Sequence, residues 1–201
     1  VNSVFSGGGA INHRDGMIVF NAGASFTGNQ SASQGGAIMS AGDVVFKSDA
    51  SFDNNSATKN GGALAILGGN ATFEKGATFT NNNAGGASAV YIAQATDMVK
   101  FNGAASFVEN TGVDTLLNSA TNATVLFADG VAFDKNTNNS NGALVNAGSV
   151  LLTGGDMLFS NNIGANGGGL KNSGNVSVNT VGNVLFDSNS TASSAGAFEN
   201  G

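Results

Sequence analysis

A chain of 201 residues with 41% hydrophobic residues can bury a sizeable core, whereas 10% charged residues leave its surface to Asn, Ser, Thr and Gly. A formal net charge of −6 with no basic cluster argues against nucleic acid as a partner, because phosphate recognition needs concentrated Lys and Arg. Without Cys and with one His there is no thiolate or histidine metal centre to build; no cofactor is expected, and no apolar run is long enough for membrane insertion by this segment as a helix.

Taken in chain order, the predicted elements come in sets of three. Gly8-Gly9-Ala10-Ile11 is a small-small-Ala-aliphatic segment, and His13 just after it reads as a solvated turn residue. A second apolar run covers 18–20, and a third ends in the phenylalanine of Phe26-x-x-Asn29. The set then repeats as Gly35-Gly36-Ala37-Ile38, 44–46 and Phe52-x-x-Asn55, and again as Gly61-Gly62-Ala63-Leu64, 71–73 and Phe79-x-x-Asn82. Around Val90 and Leu116 the glycines have gone but the aliphatic residue remains. Runs 99–101 and 125–127 follow, with Phe107-x-x-Asn110 and Phe133-x-x-Asn136 behind them. Looser copies at Asn141-Gly142-Ala143-Leu144 and Gly167-Gly168-Gly169-Leu170 lead to 150–152 with Phe159-x-x-Asn162, and to 176–178 with Phe186-x-x-Asn189. Ala195-Gly196-Ala197-Phe198 opens one more set.

Successive motif phenylalanines lie 26, 27, 28, 26, 26 and 27 residues apart. The short runs alternate with period two, the mark of strands with one buried face, and nothing shows helical periodicity. Three strands and three turns per unit predict an all-β chain wound as a parallel β-helix (β-solenoid) of about eight rungs of 26–28 residues, a single unit over 1–201. Stacking places each repeat position in a column. The phenylalanines should stack inside the coil, the asparagines should form an amide ladder at a corner, and the paired small residues should allow a sharp bend. Two inner columns trade volume. Phe20, Phe46, Phe73, Phe101 and Phe127 give way to Leu152 and Val178, while Ala24, Ala50, Ala77 and Ala105 give way to Val131, Met157 and Val184. Glu109 and Lys135 share a column on adjacent rungs and are expected to pair.

The stretches "FDNNSATKNGGAL" and "FTGNQSASQGGAI" resemble the Phe-x-x-Asn and Gly-Gly-Ala-Ile repeats of chlamydial polymorphic membrane proteins and related bacterial autotransporter passengers. The resemblance covers nearly the whole chain. It implies a right-handed β-helix and display as an adhesin at the bacterial cell surface, in the outer membrane or secreted. It also implies a signal peptide and a translocator barrel that lie outside these 201 residues.

Three classes of function follow: an adhesin, a structural spacer or stalk of a larger surface protein, and a glycan-active β-helix enzyme. The enzyme would need converging carboxylates. Here the residue after the motif phenylalanine is Asp only at 53, 134 and 187, two or three rungs apart. For the adhesin, the partner is a host-cell surface protein or glycan receptor. The loop from first to second strand lengthens in two adjacent units, at 93–98 and 119–124, so protrusions should lie side by side. Thr96, Asp97, Met98, Thr121, Asn122 and Thr124, with Lys100 and Leu126 on the strands beside them, form the candidate contact surface. Open coil ends leave unpaired strands and a route to self-association end to end.

Overall fold

In a computed structural model, which describes residues 3–4, 7–179 and 182–201, the chain winds through four parallel sheets. Every strand pairs with its counterpart in each neighbouring coil, and the first and last strand of each sheet pair on one side only. Sheet A holds eight two-residue strands (Ser3–Val4 to Ser190–Thr191), and sheet B holds eight strands from Ile11–His13 to Phe198–Asn200. Sheets C and D hold seven each, from Met17–Phe20 to Asn175–Val178 and from Ala24–Thr27 to Val184–Asp187. The described residues therefore form seven complete coils of this parallel β-solenoid and the first two strands of another.

Each coil has four strands rather than the three expected. The additional one, such as Gln30–Ser31 or Ser56–Ala57, follows the motif asparagine directly. Two residues are too few to show alternation, so periodicity could not reveal it.

Alternation builds the rest. In Ala50–Asp53 the first and third residues are buried and the second and fourth face outward. The register Phe26↔Phe52↔Phe79↔Phe107↔Phe133↔Phe159↔Phe186 is unbroken. Neighbouring rings in this column stack at 4.6–5.0 Å with interplanar angles of 2–11°. The sheet C column Phe20, Phe46, Phe73, Phe101 and Phe127 stacks at 4.6–5.1 Å. Within a coil the two columns meet edge to face, as in Phe73–Phe79 at 5.9 Å and 78°. Where the sheet C ring is replaced by Leu152, Met157 fills the space from sheet D, and both are 1% exposed. The trade ends at Val178 and Val184, which are 47% and 42% exposed because no strand covers them.

The corner after each motif phenylalanine rests on backbone geometry. The residue just before the asparagine has positive φ in every coil: Gly28, Asn54, Asn81, Glu109, Lys135, Asn161 and Ser188, at 54–65°. This left-handed residue turns the chain so that the asparagine points inward. Asn82 illustrates the result. Its Nδ2 donates to Phe52 O and to Asn110 Oδ1, both at 3.0 Å, while its Oδ1 accepts from the backbone N and Nδ2 of Asn55, again at 3.0 Å. The same pattern links Asn29, Asn55, Asn82, Asn110, Asn136, Asn162 and Asn189, and the five central residues are fully buried. The expected ladder is present.

The paired glycines serve two separate needs. Gly61 has φ of +66°, which favours glycine, whereas Gly62 lies under the next coil, where a Cβ would strike Ser88 O and come within 2.5 Å of Asn83 O.

Two expectations fail at the level of single residues. His13 is not a solvated turn residue. It ends a sheet B strand half-buried, with Nδ1 2.8 Å from Ser40 Oγ, because its column turns into the coil corner. Lys135 pairs with Asp134 of its own coil at 3.7 Å, and no ion pair joins it to Glu109 among the described residues. Both Glu109 and Lys135 hold the left-handed corner position, and the oppositely charged neighbour within Lys135's own coil is the nearer partner.

Candidate interaction surface

The two long loops join sheet B to sheet C in consecutive coils. They link strand Ala87–Ile92 to Met98–Phe101, and Asp114–Asn118 to Thr124–Phe127. Each contains one four-residue turn, closed by Asp97 N to Gln94 O and by Ala123 N to Ala120 O, both 3.1 Å. The turns are stacked. Ser119 N donates to Ile92 O at 3.1 Å, and Thr124 N donates to Asp97 O at 3.0 Å. Gly148, in the short corner of the next coil, supports the second turn, since a Cβ there would lie 2.5 Å from Ala120 O.

Thr96, Thr121 and Asn122 are exposed at the turn tips, as are Gln94 and Ala95. Met98 is 39% exposed and pairs in register with half-buried Thr124; Lys100 pairs in the same way with Leu126. These seven expected residues share one lateral face. Asp97 does not: it is 1% exposed, and its Oδ2 accepts from Gln94 N at 3.0 Å. Its Oδ1 has no hydrogen-bond partner among the described residues. Burial pushes the carboxyl up from the ordinary value of 3.8, more than the Gln94 bond pulls it down. Asp97 is an inward anchor of the first turn, because a carboxylate that closes its own turn must point back at the backbone.

Sequence reasoning missed two features beside this face. One column of sheet B carries half-buried Met39, Tyr91, Leu117 and Val145, with fully buried Ala65 between Met39 and Tyr91, and Tyr91 and Leu117 lead into the two loops. Their signal was the period-two residue after each aliphatic column position. A second amide ladder runs Asn118, Asn146, Asn172, Asn200, with Nδ2 to Oδ1 distances of 2.8 Å throughout. It was legible as aliphatic-x-Asn at Leu116, Leu144 and Leu170. Asn118 also donates to Ala123 O at 3.1 Å and so pins the second loop.

Residues 23–41 and 49–66 match the family model of the Chlamydia polymorphic membrane protein (Chlamydia_PMP) repeat. These two segments are similar to polymorphic membrane protein repeats. Each match runs from the end of the sheet C to D turn, through the motif phenylalanine and asparagine, to the sheet B strand after the glycines. The phenylalanine and asparagine positions of the repeat continue in register through the remaining coils. Neither a curated protein nor a solved structure matches the chain. No helix of the described residues is long and apolar enough to cross a membrane.

Proposed function

We propose that this chain is part of the passenger of a bacterial surface-displayed adhesin, which binds a host-cell surface protein or glycan through its lateral face. The observation that carries this reading is the pair of stacked turns at 93–97 and 119–123 on a rod whose interior is filled. Phe46, Phe52, Phe73, Phe79, Phe101 and Phe107 are all fully buried, so the coil has no room for an internal ligand. The turn tips add exposed amide and hydroxyl groups beside Met98 and Leu126, a mixture suited to a protein or sugar surface. The polymorphic membrane protein repeats support display at the cell surface. Self-association end to end belongs to the same reading. Sedimentation independent of concentration would count against it.

A catalytic role has less support. Asp134 has the most developed surroundings of the outward carboxylates, accepting from Ser160 Oγ at 2.6 Å and Asn161 Nδ2 at 3.1 Å. Partial burial pushes its pKa up, but those bonds and the Lys135 charge outweigh it and hold the group below the ordinary value. A general acid needs the opposite shift. Saturable binding of the 201-residue chain to host cells tests the proposal. Absence of binding would favour a spacer, and polysaccharide cleavage lost on Asp134→Asn would favour an enzyme.

A further inference from the structure

Where two coils have lost the repeat's glycines, the bend between sheets A and B acquires a polar chain across three successive coils. Asp114 opens the sheet B strand Asp114–Asn118 and is 2% exposed. Its backbone carbonyl accepts from Ser88 Oγ at 3.0 Å, which fixes it from the coil before. Asn141, one coil on, stands three residues before Leu144 just as Gly61 stands three before Leu64. Its Nδ2 donates to Asp114 Oδ1 at 2.9 Å. Lys171, one coil further, reaches back so that Nζ donates to Asn141 Oδ1 at 3.0 Å. The carboxamide thus has an amine on its oxygen side and a buried carboxyl on its nitrogen.

We propose that Lys171, Asn141 and Asp114 form an autocatalytic cross-linking site, in which the Lys171 amine displaces ammonia from the Asn141 carboxamide to leave an isopeptide bond between two coils. Lys171 first gives one ammonium proton to solvent, and a rotation about its last side-chain bonds then moves the neutral Nζ from the Oδ1 lone pair onto Cγ. The Nζ–Cγ bond forms as the carbonyl π electrons move to Oδ1, which gives a tetrahedral intermediate. Asp114 delivers its proton to Nδ2, the Cγ–Nδ2 bond breaks, and ammonia leaves. The proton lost by Nζ returns to Asp114, so the carboxyl is regenerated and no oxidant or cofactor is consumed. Burial holds the Asp114 proton to a pKa of about 6, against the bond from Asn141 and the charge of Lys171. Glu199, in register with Lys171 on the next coil, is engaged by Ser194 Oγ at 2.7 Å. Holding the amine and amide together makes the step intramolecular, the main requirement for so unreactive an amide.

The test is the mass of the purified 201-residue chain under denaturing conditions, followed by trypsin digestion. The cross-link lowers the mass by about 17 Da, that of ammonia. It also blocks cleavage after Lys171, so that 136–201 remains one looped peptide. Lys171→Arg keeps the charge without a usable nucleophile, and Asp114→Asn keeps the hydrogen bond without the acid; both should show the full sequence mass. A full mass for the parent chain would overturn the proposal. So would a loss of about 17 Da with Lys171 still cleaved, since Asn141 would then have cyclised onto the Gly142 nitrogen. Retention of the mass loss in Asp114→Asn would remove Asp114 from the reaction.

Discussion

Replacing Asn82 by alanine tests the ladder where it is best formed. The side chain makes four hydrogen bonds at 3.0 Å in a fully buried corner. Its removal leaves the backbone N–H of Asn55 and the carbonyl of Phe52 without those partners. Asn55 Nδ2 keeps its bond to Phe26 O at 2.9 Å, and Asn55 Oδ1 still accepts from Asn29. Asn110 Oδ1 still accepts from the backbone of residue 82, so that end is spared. Two buried groups left without these partners, at about 1–3 kcal/mol each, give a loss of about 4 kcal/mol. For a chain of this size that lowers Tm by about 8–16 °C. Far-UV circular dichroism against temperature measures it, with Asn189→Ala in the half-buried last coil as a comparison expected to lose about 1 kcal/mol. A shift below about 3 °C for Asn82→Ala would mean that the amide column does not hold the coils together.

Other outcomes follow from the same geometry. Glu109→Asn places a tolerant residue at φ of 55° and should stabilise by about 1 kcal/mol, measured by urea denaturation; a destabilisation would contradict the left-handed corner. Gly62→Ala should cost about 3 kcal/mol or more by the same assay, since its Cβ meets backbone of the next coil that cannot give way; a neutral result would refute that contact. Asp114 makes stability depend on pH. Its contribution is fully present below the ordinary value of 3.8 and is lost as pH rises through about 6, a fall of about 3 kcal/mol. Asp97, also raised, acts in the same direction. Asp114→Asn should flatten stability between about pH 4 and 7, and an unchanged slope would assign the effect elsewhere.

The fold was legible because its two strongest signals are side-chain columns. Phenylalanine spacing fixed the coil length, and alternation fixed which side of each longer strand is inside. What escaped was set by backbone or by short range. The two-residue strands carry no period. The left-handed corner is filled by Gly, Asn, Glu, Lys or Ser, so composition does not mark it. The candidate surface was drawn from loop length, a feature that sequence records directly, and seven of its eight residues lie on one lateral face. Asp97 turned inward because a short carboxylate at the end of a turn bonds that turn's own backbone, a preference that length alone does not express. The second asparagine ladder was readable but begins only at Asn118. Ile66 and Ile92 hold that column in the coils before it, so no repeat-wide pattern announced it.

Adhesion by the lateral face is tested most directly by shortening both loops, 93–97 and 119–123, to the length of their neighbours and measuring binding to host cells beside the parent chain. The stacked strands lie outside the deleted segments, so circular dichroism and Tm should match the parent. Cell binding should fall to background. A trimmed chain that folds normally and binds cells as well as the parent would contradict the assignment and transfer adhesion to the repeat face itself.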